Sequence, residues 1–300
     1  MNTSGTDSQT RFEMWLTDAR SWADAELSAV LESVRSSPEP LFAAMSHACL
    51  AGGKRLRPAL TKLFCESAGG ASEACSRPAV AVELVHTYSL IHDDLPCMDD
   101  DDMRRGQPTI HKKWDEATAV LAGDALLTEA FACLAQHSRG AELVRILAQA
   151  AGARGMVGGQ CADLGVDLAA LSPELRAAAV MDVHRLKTSE LFAAACEMGV
   201  VAASGDGAQH ARSYGLELGM LFQATDDIID VTGTVSGLGK TPGKDADLDR
   251  PTLVAALGLD GARSQAQGHA EAALGALDYM GFASEHHARS LIAHLVDRSH

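Results

Sequence analysis

Leu90-Ile91-His92-Asp93-Asp94-Leu95-Pro96-Cys97-Met98-Asp99-Asp100-Asp101-Asp102-Met103-Arg104-Arg105-Gly106 is the stretch that decides how the chain is read: an apolar helical run ends directly in six aspartates and two arginines. The carboxylates fall where a helix macrodipole is already negative, so a counter-cation is the natural compensation. At about 100° per residue, Asp93 and Asp99 would point about 120° apart on an ideal helix. Pro96 changes that expectation, because it removes a ladder hydrogen bond and crowds the preceding turn, letting the chain bulge and re-aim Asp99 toward Asp93.

A second acidic cluster, Phe222-Gln223-Ala224-Thr225-Asp226-Asp227-Ile228-Ile229-Asp230, needs no such device. Asp226 and Asp230 are four residues apart on one helical face, where like charges repel unless a cation holds them. Oxygen-only carboxylate sites suit hard cations, and magnesium takes one or two carboxylates together with substrate phosphate oxygens. Two aspartate-rich helices therefore imply a diphosphate between them. The competing reading of each cluster is a solvated acidic helix end. An EF-hand loop begun at Asp101 places Gly106 correctly but puts Lys112 where a bidentate glutamate belongs.

Around these clusters the pattern is helical. Phe12, Trp15, Ala19, Trp22, Val30, Leu31 and Val34 recur at helical spacing until the Ser36–Pro40 cluster stops them. Further helices are expected over 40–51, 56–68, 77–95, 115–137, 140–155, 173–199, 207–231, 251–258, 262–280 and 284–297, with no convincing strand. Alanine and leucine dominate while aromatics are 4%, a composition that suits packed helices better than sheets. The expected fold class is all-α. No repeat or low-complexity linker divides the 300 residues, so one domain over 1–300 is expected, with residues 1–8 disordered.

Charge and cysteine usage narrow the partners. With 40 acidic against 25 basic residues and a formal net charge of −15, the chain repels nucleic acid at long range. Its seven cysteines are scattered, with no C-x-x-C pair, which fits reduced thiols and a cytoplasmic location. No targeting segment is expected at the polar N-terminus, and no apolar run approaching the roughly 20 residues of a membrane span is expected.

Basic groups stand beside turns in spite of the acidity: Gly52-Gly53-Lys54-Arg55-Leu56-Arg57-Pro58, Arg104-Arg105, Lys187-Thr188, Lys240 and Lys244. Guanidinium forks and glycine-exposed N–H groups are phosphate-binding parts; ordinary surface charge is the alternative. No Walker loop, dinucleotide fingerprint, zincin motif or nucleophile elbow occurs. His92 reads best as a histidine packed or capping near its helix end.

In order along the chain, the blocks Gly52–Pro58, Ser89–Arg105, Gly123–Leu126, Gly159-Gln160-Cys161-Ala162-Asp163-Leu164, Lys187-Thr188 and Phe222–Asp230 make the sequence resemble the bacterial short-chain trans-prenyl diphosphate synthases, most closely those of the farnesyl type. That resemblance implies the isoprenoid synthase (class I terpenoid synthase) fold, a helical bundle around a central cavity, and a homodimer. It implies that Asp93, Asp99 and Asp226 bind three Mg2+ ions with the allylic diphosphate, with Asp94, Asp227 and Asp230 contributing around them. It places Arg104, Lys187 and Lys240 on that diphosphate, and isopentenyl diphosphate in a pocket of Gly53, Lys54, Arg57, His86 and Arg105. Thr188 and Gln223 would steady the allylic cation, and the departed diphosphate would remove the final proton.

Chain length should follow the depth of the apolar channel below the first cluster. Tyr88, with Ser89 beside it, lies five residues before Asp93, about 7.5 Å along a helix, and by resemblance its ring floors the channel after fifteen carbons. An ordinary core aromatic is the alternative. Thr225 and Arg250-Pro251-Thr252 depart from the family pattern, the latter standing where Lys-x-Thr is usual. The alternatives left open are a geranylgeranyl diphosphate synthase, a terpene cyclase and a non-catalytic subunit.

Overall fold

A computed structural model describes residues 3–165, 170–232, 252–281 and 285–298, with side chains from Gln9 onward other than those of Pro173, Glu174 and Glu285. The expectation about residues 1–8 therefore falls outside the described side chains, although α1 is helical from Thr3 to Ser33. The chain continues through α2 (Glu39–Leu50), α3 (Leu56–Ser67) and α4 (Ser72–Asp93), then β1 (Met103–Arg104) and β2 (Gln107–Pro108). It goes on through α5 (Ile110–Lys113), α6 (Glu116–Ala135), α7 (Gly140–Ala151), α8 (Met156–Gly165) and α9 (Pro173–His184). A π-helical turn (Arg185–Ser189) leads into α10 (Glu190–Ala202), followed by α11 (Ala208–Thr232), α12 (Leu253–Asp278) and α13 (Glu285–Asp297). The all-α expectation holds, with one departure: β1 and β2 form a two-residue antiparallel hairpin, Met103 opposite Pro108.

The bundle is organised around α10. All thirteen of its residues are buried, as expected of a helix that is apolar all round, and α3, α4, α7 and α11 pack against it. Its two glutamates are neutralised from outside: Arg212 lies 2.5 Å from Glu190 and 3.4 Å from Glu197. The main buried cluster runs from Phe12 to Leu295, with a small second one at Cys65, Cys75 and Ala202.

Local chemistry explains where the helices depart from the sequence reading. Helix α4 begins five residues earlier than expected even though Pro78 lies inside it. Proline cannot donate to the carbonyl four residues back, and His137 Nε2 bonds that carbonyl, of Ala74, instead at 3.1 Å. Helix α8 was missed because its glycines read as breaks. The stretch expected as one helix over 173–199 contains the π turn. The two helices expected at 251–258 and 262–280 form one element, broken at Gly258 (φ 72, ψ 170).

Contrary to the sequence reading, α6 (Glu116–Ala135) is long and apolar enough to cross a membrane by length and composition. Ala119, Ala122, Leu126, Ala130 and Leu134 are buried where α6 packs against α2, α4 and α7.

Candidate active site

The acidic end of α4 folds back on itself as Pro96 predicted. The Asp99 N–H donates to the Asp93 carbonyl at 2.8 Å, Asp100 to Leu95 at 3.1 Å and Asp101 to Asp94 at 3.2 Å. The turn thereby satisfies the helix's last carbonyls and ties the Asp99 backbone to that of Asp93. The hairpin follows, with Arg105 (φ 53) and Gly106 (φ 76) both left-handed at its tip, the backbone of a tight primed turn. Neighbouring residues diverge here: the Arg104 Nε donates to the buried Asp94 carboxylate at 2.6 Å, while Arg105 reaches the Gly52 carbonyl. Burial pushes the Asp94 carboxyl up to about 6 against the pull of Arg104.

The basic loop before α3 separates into structural and presented cations. Arg55, left-handed at φ 50, is buried and pairs with Glu83 at 2.7 Å and Asp24 at 2.8 Å, so it holds the loop rather than an anion. Arg57 lies over the Phe192 ring at 4.5 Å and its Nε has no hydrogen-bond partner. The Arg105 guanidinium lies against Gly53, whose φ of 133 favours glycine at that position. Burial holds His86 well below its usual range, and Arg57, Arg105, Arg104 and Arg55 add to the effect. Burial also lowers Arg57 to about 10, Glu83 opposing and Arg105 adding. Cations crowded together at this cost favour an anion among them.

Three contacts connect the first acidic turn to the second acidic helix. Gln160 of α8 donates to Asp93 at 2.5 Å, Lys187 of the π turn pairs with Asp163 of α8 at 2.6 Å, and Thr188 donates to Gln223 of α11 at 3.1 Å. The π turn is clamped by close backbone approach. A Cβ on Gly159 would lie 2.2 Å from the Lys187 nitrogen, and one on Gly219 would lie 2.5 Å from the Ser189 Cα. Single π turns inside helices recur at functional sites, and this one delivers Lys187 and Thr188 on successive residues. Lys54 Nζ lies 5.4 Å from the Phe222 ring centroid, joining the basic loop to α11.

Asp226 and Asp230 are half-buried on α11. Asp227 turns the other way: it is 3% exposed, accepts from Gln223 at 3.1 Å and from the Leu253 N–H at 2.7 Å, and faces His184 at 3.5 Å. It pins the start of α12 while orienting Gln223. Lys240, Lys244 and Arg250 lie outside the described residues; Thr252 caps α12 by accepting from the Ala255 N–H at 3.1 Å.

A family model described as polyprenyl synthetase matches residues 38–281, a span that contains every contact just described except those made by Asp24. The chain belongs to the polyprenyl synthetase family. Among its relatives, the farnesyl diphosphate synthase of Haemophilus influenzae is 40% identical over 265 residues, covering 85% of this chain and 88% of that one. The chloroplastic geranylgeranyl pyrophosphate synthase of Capsicum annuum is 43% identical over 234 residues, covering 75% and 63%. The crystal structure of a geranyltransferase from Legionella pneumophila superposes with a TM-score of 0.83 at 30% identity, covering 97% of this chain and 99% of that one.

In this polyprenyl synthetase the position expected to set chain length is an inward aromatic. Tyr88 is buried and its ring meets His92 edge-on at 5.8 Å, while the Ser89 hydroxyl donates to the His86 carbonyl at 2.8 Å. His92 is packed, as expected, with Nε2 bonded to the Val120 carbonyl at 3.2 Å. A Cβ at Gly123 would lie 2.1 Å from that nitrogen, which gives the Gly123–Leu126 block its physical reason. Sequence reasoning quoted Gln160 and Asp163 without giving them roles. It passed over Phe192 and His184 altogether, because only packing places them at the site.

Proposed function

We propose that this polyprenyl synthetase is a farnesyl diphosphate synthase, adding isopentenyl diphosphate to dimethylallyl and then geranyl diphosphate. The observation that carries the reading is the linkage of the two acidic helices through Gln160, Asp163, Lys187, Thr188 and Gln223, beside the cations Arg57 and Arg105, next to Gly53 and His86. Asp93, Asp99, Asp226 and Asp230 offer only carboxylate oxygens, a donor set that fits three magnesium ions sharing a diphosphate. Once bound, magnesium supplies Lewis-acid neutralisation of the leaving diphosphate.

Arg104 and Lys187, now paired with Asp94 and Asp163, turn to the same diphosphate, and Lys54, Arg57 and Arg105 hold the isopentenyl one. The allylic C–O bond breaks with its electron pair leaving on the diphosphate. The isopentenyl alkene then forms the new C–C bond, and the proton lost from the adjacent carbon goes to the released diphosphate. Gln223, held by Asp227, and the Thr188 hydroxyl present oxygens to the developing cation. Tyr88 floors the channel.

The chain works as one domain in a cytoplasmic homodimer. Support for the dimer comes from α6, whose outer face carries Val120 and Leu121 at 41% and 59% exposure.

Incubation with isopentenyl diphosphate, magnesium and each of dimethylallyl, geranyl and farnesyl diphosphate, followed by chromatography of the dephosphorylated alcohols, tests this. Farnesol from the first two starters is expected. A C20 alcohol as main product would make the enzyme a geranylgeranyl diphosphate synthase, a cyclic hydrocarbon a terpene cyclase, and no product a non-catalytic subunit.

A further inference from the structure

Beyond the residues assigned to prenyl transfer, the outer side of the acidic turn carries a separate constellation. Ligand atoms of Asp100, Asp102 and His111 all lie within 4.8 Å of one another. The carboxylates are open to solvent, with side chains 61% and 70% exposed, whereas the His111 side chain is only 4% exposed. His111 Nε2 is buried without a hydrogen-bond partner and points at the Asp100 Oδ1, 3.9 Å away.

The tautomer follows from the neighbour. The Thr109 hydroxyl donates its one proton to the Asp101 carbonyl at 2.8 Å. Toward His111 Nδ1, 3.3 Å away, its oxygen can therefore only accept, so Nδ1 carries the hydrogen. Nε2 then presents a lone pair to a carboxylate. Two acceptors facing each other across a gap too long for a hydrogen bond repel, a repulsion that a cation between them would relieve, and a ring N–H fixed by an outer partner is the usual arrangement behind a metal-bound histidine.

We propose that Asp100, Asp102 and His111 bind a divalent transition-metal ion, with Zn2+ the best fit, at a site separate from the diphosphate-binding magnesium ions. One imidazole nitrogen and two carboxylates suit zinc or its neighbours better than magnesium, which prefers oxygen alone. Donor atoms about 2.1 Å from a tetrahedral ion lie about 3.4 Å apart, so the exposed carboxylates need to close by about an ångström. The bound ion staples the left-handed Asp100 (φ 48) to α5, fixing the turn that carries Asp99. Lys112, whose Nζ lies 2.8 Å from the Asp102 Oδ1, is the built-in competitor.

The test uses the full chain without substrate, saturated with Mg2+, and titrates Co2+ while recording its visible d–d absorption, with Zn2+ added afterwards as competitor. One Co2+ per chain, displaced by Zn2+, is expected. Loss of an outer-shell partner alone typically weakens metal sites about 10–100-fold, so His111→Gln should lower affinity by at least about tenfold. Asp100→Asn, at an exposed position that spares the core, should also weaken binding, and Lys112→Ala should tighten it. Equal binding by wild type and both ligand variants would overturn the proposal. So would failure of Mg2+-saturated wild type to bind Co2+, or an NMR titration showing His111 already protonated on both nitrogens at neutral pH. None of these readouts depends on prenyl transfer, so the site stands or falls separately from the enzymatic reading.

Discussion

Individual residues in this site divide into those left open to the site and those sealed behind it, and a sequence does not distinguish the two. Asp226 and Asp227 are adjacent and chemically identical, yet only Asp227 is sealed in the interior with the Leu253 N–H and Gln223 as partners. Asp226→Asn should lower kcat by at least about 10²-fold, as loss of a preorganised electrostatic contribution does, with an unchanged thermal midpoint; steady-state kinetics beside calorimetry checks both. The same division appears at Tyr88, buried below the first cluster. Tyr88→Ala should shift products from C15 toward C20 and longer in the alcohol chromatogram, and unchanged C15 output would remove its role as the floor.

Among the elements, close backbone approach governs how the site is assembled. Helix α8 meets the π turn at Gly159, where an added Cβ would lie 2.2 Å from the Lys187 nitrogen. Backbone cannot yield as a side-chain tip does, so Gly159→Ala should cost about 1–3 kcal/mol, in the range of overpacking, and raise KM by displacing Lys187. Gly268, in α12 with nothing within 4 Å of an added Cβ, is the control: Gly268→Ala should gain roughly 0.5–1 kcal/mol from helix propensity. Denaturant melts of the two variants measure both.

A different element is pH-sensitive. His287 of α13 stacks on Trp15 of α1 at 4.9 Å, and burial, with His286 adding, lowers it from 6.5 to about 4. A depressed folded-state value means that the unfolded chain takes up the proton first. The stability this residue contributes is therefore present above pH 6.5 and lost as pH falls toward 4. His287→Phe should keep the stacking and flatten that part of the stability–pH curve, as read by calorimetry from pH 7 to 4.

For the molecule as a whole, a central buried helix holds the acidic turn, the basic loop and α11 in fixed relation, and the surface left over is informative. Helix α6 exposes Leu121 at 59% on an element apolar enough to pass for a membrane span. In the homodimer proposed above, that exposed face is the expected contact. Leu121→Glu should convert a dimer into a monomer in light scattering after size exclusion, while a monomeric wild type would remove the argument.

The helical class, both aspartate clusters and the turn made by Pro96 were legible in the sequence because each rests on local rules: helical spacing, like charges four residues apart, and a proline lacking its N–H. The separation of Arg55 from Arg57, of Asp226 from Asp227 and of Lys187 from an ordinary helical lysine was not. Those distinctions depend on which neighbour, Glu83, Leu253 or Gly159, the folded chain brings alongside, and long-range packing decides that. The sequence by itself determined the helical class and where acidic and basic residues cluster along the chain. Only the tertiary structure decided which charges are neutralised inside and which stay open, because a charge's role is set by what surrounds it once water is excluded.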